Sequence, residues 1–165
     1  MRRAHMSAQA LITSMDKLVS LHKSLHELAV KKTDIIKKGD MESLDQMMKD
    51  EQKYVAAIGK MEQARAQITQ GLVADKSEPT LSDCLQVVSE EHKLLLSEKK
   101  EKLLEIVNEL QERNKLNQQL VYHSLQFVNM SLSLVNPQAA AQNMNYVHPQ
   151  AAKQSQSSGM FNSKV

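Results

Sequence analysis

Residues 116–136 read LNQQLVYHSLQFVNMSLSLVN, and no Asp, Glu, Lys or Arg occurs from Leu116 until Lys153. Length and composition suit a helix. Advanced by 100° per residue from Leu120, its apolar side chains fall into two stripes. Val121, Leu125, Val128, Leu132 and Val135 make the first; Leu120, Phe127, Met130 and Leu134 make the second. Ser124 and Ser131 run between them as a narrow groove of small residues, and Gln126, Asn129, Ser133 and Asn136 mark the polar side. A helix with two apolar stripes needs two partners. What the rest of the chain can offer it decides the fold.

Upstream, the chain reads as long helices. Its apolar content is Leu, Val, Ile and ten Met, with no Trp, and only four Gly and three Pro punctuate 165 residues. From Ser7 to Lys38, Leu11, Leu18, Leu21, Leu25, Leu28 and Ile35 repeat with heptad spacing, interrupted by Ser14 and Lys32. Gly39 comes after Lys37 and Lys38, where cations suit a helix C-terminus and Gly the left-handed cap, and Asp40 can N-cap the next helix. So short a turn makes an antiparallel hairpin with a second helix from Met41 to about Gly71. Counting from the turn sets Leu25 against Tyr54, Leu21 against Ile58 and Leu18 against Met61, and brings Lys32 near Glu51. Gly71 to Pro79 is a linker. Thr80 with Asp83 forms a box-like cap for a short helix through Val88, and a long helix then runs to Val135 with Leu96, Leu103, Ile106 and Leu110 on its seam. Arg113, Asn114 and Asn117 take the next seam positions, so the core is expected to thin there.

Length then settles how the two stripes are served. At 1.5 Å per residue the first two helices span about 45 Å each and the long one nearly 70 Å, leaving about fifteen residues of it without a neighbour. The expectation is that one stripe joins the core and the other, exposed, is an interaction surface. The fold class is all-α: a helical hairpin, a short helix, one long C-terminal helix and a tail. Residues 1–5, with Arg2 and Arg3 before His5-Met6, read as an expression-tag remnant, 6–136 as the helical domain, and 137–165, rich in Ala, Gln, Asn and Ser, as a flexible tail.

Composition narrows the function. The formal net charge is +2, and setting aside Arg2 and Arg3 leaves nineteen basic and nineteen acidic residues, so no electrostatic footprint for nucleic acid or anionic lipid is present. Cys84 is the single cysteine, which excludes an intramolecular disulfide and fits a reducing cytosol. No apolar run reaches membrane-spanning length, and no signal peptide precedes Ser7. His22 and His26 have a metal-compatible spacing but no HExxH and no evident third ligand. His26 also lacks the Lys-Gly that attends a phosphotransfer histidine. Glu90-Glu91-His92 is the acidic first turn of a helix rather than half of a carboxylate-bridged metal pair. Cys84 is placed on the polar edge of its helix as a small packing residue, Met47, Met48 and Met61 are core filler, and Lys31, Lys32, Lys37 and Lys38 are a solvated helix end. No phosphate-cradling loop, nucleophile elbow or CxxC occurs. The expectation is a non-enzymatic protein without cofactor or metal.

The segments KKTDIIKKGDMESLDQMMKDEQKYV (31–55), TLSDCL (80–85), ELQERNKLNQQL (109–120), LQFVNMSLSLVN (125–136) and the closing MFNSKV, in that order and spacing, resemble the FlgN-type flagellar export chaperones. The resemblance implies a cytoplasmic helical chaperone that holds the C-terminal helices of hook-filament junction (hook-associated) proteins with its own C-terminal helix and delivers them to the export gate. Carried over, the client surface is Val121, Leu125, Val128, Leu132 and Val135 with Phe127, Met130 and Leu134 beside them. Tyr122, Tyr146 or Phe161 is a candidate contact to the gate. Helix-in-groove recognition needs apolar anchors three and four residues apart, as in the first stripe. The competing class is a structural bundle that buries both stripes by homodimerisation, a surface an unladen chaperone can use too.

Overall fold

The computed structural model describes residues 2–136. Among them are four helices and no strand: α1 (Arg2–Lys38), α2 (Met41–Leu72), α3 (Leu81–Leu85) and α4 (Glu90–Val135). α1 starts earlier than the heptad pattern places it, and the residues set apart before Met6 are, from Arg2 on, part of its helix. The His5 ring lies 4.8 Å from that of His92 at the foot of α4.

The punctuation acts as its chemistry dictates. Gly39 takes φ 70°, the left-handed conformation that closes α1. Asp40 caps α2 by accepting from the Ser43 backbone N–H at 3.1 Å. Thr80 and Asp83 form a reciprocal capping box. α3 stops at Leu85, short of Val88, because Ser89 caps a fresh helix and accepts from the His92 N–H. The short helix and the long one are therefore separate.

α1 is the central element. Leu11, Met15, Leu18, His22, Leu25 and Ala29, three and four residues apart, are all buried, and both α2 and α4 pack along α1. α2 and α4 make no close backbone approach to each other; α3 bridges them, with Leu81 and Cys84 fully buried. Each such buried Leu contributes about 1.5–3 kcal/mol before the cost of ordering it. In the hairpin, Lys32 Nζ meets Glu51 Oε2 at 3.1 Å, a pair that the counted register brings near but does not fix, with both side chains about one-fifth exposed. Leu21 and Leu28 line one shallow groove with Tyr54 and Ala57.

α4 runs parallel to α1. Lys99 pairs with Asp16 at 2.8 Å, and further along Thr33 Oγ1 donates to Asn117 Oδ1 at 2.6 Å. The Asp16 carboxylate holds the Lys99 ammonium above its ordinary pKa by hydrogen bonding and charge. The contact face of α4 is Leu96, Leu103 and Leu110, a strict seven-residue repeat, each essentially inaccessible.

Candidate partner-binding site

The fourth member of that repeat is Asn117, and it too is buried. Its Nδ2 donates to the Ala29 carbonyl at 2.9 Å and its Oδ1 accepts from Thr33, whose hydroxyl lies 3.5 Å from Arg113 Nη1 as donor. The core therefore does not thin at this step, as the loss of apolar residues suggests; it closes with a satisfied polar layer. No buried side-chain N or O among the described residues is left unpaired.

Beyond this layer the hairpin ends. The 84-residue offset between Thr33 and Asn117, carried to Gly39, sets the turn level with His123. The 13 residues from His123 to Val135, about 20 Å of helix, project past it. Val121, at the rim, is half-buried, and all the other first-stripe residues are exposed, from 37% for Leu125 and Leu132 to 85% for Val135. Stepping 100° per residue from Leu103 puts the whole first stripe within about 40° of that core residue. It is the face that packs on α1, continued past the end of α1. The second stripe lies about 180–260° round, with Phe127 72% and Leu134 86% exposed and Met130 exposed beside them. Neither stripe joins the core beyond Val121. The expected division, one stripe in and one out, fails because hairpin and stripe occupy different levels of α4.

Polar groups of the projection are bonded within the helix. The Ser124 hydroxyl donates to the Leu120 carbonyl at 2.8 Å and that of Ser133 to Met130 at 2.8 Å, so these hydroxyls are satisfied within the helix. Tyr122, half-buried, accepts from Gln126 Nε2 at 2.8 Å and lies edge-on to His123. Tyr146 and Phe161 lie outside the described residues.

The other candidates are absorbed by the fold. His22 is buried with Nδ1 2.7 Å from the Leu18 carbonyl, which can only accept, so Nδ1 carries the proton; His26 is half-buried one turn on. His92 is buried with Nδ1 2.9 Å from Ser89 Oγ. Cys84 is inside the core, not at a polar edge, and burial beside the Asp83 charge pushes its thiol up, away from nucleophilic use. Of the methionines, Met47 is buried and Met61 half-buried, but Met48 is exposed. Lys31, Lys37 and Lys38 are solvated, whereas Lys32 is held by Glu51.

The contact seam of α4 thus outruns the hairpin and stays uncharged. The family model described as FlgN protein matches residues 1–154. The chain belongs to the FlgN family. FlgN proteins are flagellar export chaperones, so the resemblance carried by motif order and spacing is borne out. This FlgN-family chain is also 32% identical over 162 residues to a Bacillus subtilis (strain 168) protein, described as uncharacterized protein YvyG; the match covers 97% of this chain and all of that one. No solved structure matches it. Among the described residues of this FlgN chain, no helix is long and apolar enough to cross a membrane.

Proposed function

We propose that this protein is a cytoplasmic chaperone of flagellar type III export. It binds the C-terminal helical segments of hook-associated proteins, keeps them from associating early and delivers them to the export apparatus. The observation that carries this is the continuation of the α1-binding seam of α4 past the hairpin as an exposed, uncharged stripe. A client helix laid there prolongs the seat of α1: Leu125, Val128, Leu132 and Val135 enter its face, with Val121 at the rim. Phe127, Met130 and Leu134 offer a second apolar face on the far side of α4, the flexible thioether of Met130 adapting to more than one client. Burying these side chains of the first stripe without desolvating a charge favours salt-insensitive binding. An aromatic at or after the α4 end, Tyr122, Tyr146 or Phe161, makes the contact to the export gate.

The test is a synthetic C-terminal helix of a hook-associated protein titrated into wild type and into the Leu125→Asp, Leu132→Asp double variant. Binding is expected to be lost while circular dichroism stays near wild type. Unchanged affinity in the double variant would refute the assignment of the site, and collapse of the fold would show that the stripe is core.

A further inference from the structure

We infer that, with no client present, the projecting end of α4 pairs with its counterpart in a second copy of this chain, antiparallel. The pairing uses a register in which Leu125 faces Val135 and Val128 faces Leu132 of the other copy.

Three observations lead there independently of what the client is. The first is side-chain pattern. Along the projection, Leu125, Val128, Leu132 and Val135 are spaced three and four apart, the a and d positions of a coiled coil. An antiparallel coiled coil sets a against d, so every layer in this register joins one Leu to one Val. Four layers of equal size result: Leu125 with Val135, Val128 with Leu132, and their two symmetry mates.

The second is fit. The two-fold axis of that register falls level with Met130, and the projection from His123 to Val135 is centred one residue away. All four layers therefore lie beyond the hairpin end. A parallel pairing does not fit, because the stripe shares its face with α1; a second bundle at the same level would have to occupy the place of α1. In the antiparallel arrangement each α4 ends at Val135, level with Leu125 of the other copy and two residues past the level of the turn at Gly39. It ends there for a chemical reason, since Pro137 cannot continue the helix.

The third is charge. No acidic or basic residue lies in the projection, so no side-chain charges within it repel as two copies approach. The carbonyl end of one α4 arrives at the carbonyl end of the other copy's α1, beside exposed Asp40, and there Lys37 and Lys38 offset the repulsion of the like helix ends.

Two such short helices bury on the order of 1,000 Å², the lower bound of a specific interface. The dimer is accordingly weak and concentration-dependent, a cover that a longer client helix displaces from the same stripe.

Cysteine pairing on the full chain tests this. Val128→Cys mixed with Leu132→Cys is expected to form a disulfide-linked dimer under mild oxidation, as is Leu125→Cys mixed with Val135→Cys. Val135→Cys alone should stay largely unlinked. Buried Cys84 does not compete, and the unsubstituted chain is the control. All four positions are exposed, so the fold is not at risk. Sedimentation of the wild type from about 1 to several hundred μM should show monomer passing to dimer, the range expected of so small an interface. Linking of Val135→Cys alone as efficiently as the mixed pairs would overturn the antiparallel register. A chain monomeric throughout, with no mixed pair linked, would overturn self-pairing altogether. Neither result depends on whether a hook-associated peptide binds.

Discussion

Asn117 holds the seam position that Leu96, Leu103 and Leu110 occupy in the three preceding heptads, and it is the residue at which α4 passes from core to projection. Buried and bonded to both Thr33 and the Ala29 carbonyl, it fixes the axial register of α4 on α1, a role well suited to a lone polar seam residue. Asn117→Ala would strip partners from buried polar atoms and should cost about 1–3 kcal/mol in urea unfolding. Leu134→Ala, on the exposed far stripe, should move stability by no more than about 0.5 kcal/mol although it removes a larger apolar group. Asp83 supplies a second residue-scale prediction. Hydrogen bonding from Lys76, then from Thr80, lowers its pKa from 3.8 to about 2. A carboxylate depressed in the folded state stabilises the protein above its unfolded pKa and loses that contribution as pH falls through the folded one. The stability advantage of wild type over Asp83→Asn should therefore be fully present above pH 3.8 and fade towards pH 2. The Lys76–Asp83 pair being partly exposed, added salt should shrink it.

At the scale of the elements, α4 has two halves with different means of support. Up to Asn117 it is held by burial against α1; from His123 onward it has only hydrogen bonds within the helix, and isolated helices of about 12–15 residues are marginal in water. A chain ending at His123 should unfold within a few degrees of the full chain, because the missing residues make little of the core, yet bind no client peptide. The hairpin pair Lys32–Glu51 belongs to this scale as well: partly exposed, it should contribute no more than about 1 kcal/mol in a double-mutant cycle and serve register. Much of this level is legible in the sequence. Lys37-Lys38-Gly39-Asp40, Thr80 with Asp83, and the heptads around Leu25 and Leu103 each carry a local chemical reason, and local reasons survive into the fold. The fate of Asn117 and the openness of both stripes are not legible. Periodicity counts apolar residues and does not see that Thr33 and Ala29, more than eighty residues away, satisfy a polar one. It also gives the angle of a stripe on its helix but not the level at which a neighbouring helix stops. Met48 and Cys84 depart from their expected places for a related reason, since each sits where only the packing of α1 against its neighbours, and of α3 beneath them, decides exposure.

For the whole molecule, the design reduces to a parallel pair of unequal helices braced by a third. α1 ends at Lys38 because Gly39 ends it, while α4 runs on to Val135 without a charge beyond Lys115, so the surface left over is the mating surface of the bundle itself. The chain belongs to the flagellar export chaperone family, and the proposed client and the proposed second copy both act by standing where α1 would stand if it were longer. The most direct test of that claim is amide hydrogen exchange on the chain, dilute enough to be monomeric, with and without a C-terminal hook-associated peptide. The account predicts fast exchange over residues 123–135 against slow exchange over 96–117 in the free chain, with 123–135 becoming protected when the peptide is added. Protection that appears instead along the groove of Leu21, Leu28 and Tyr54, with 123–135 unchanged, would contradict it.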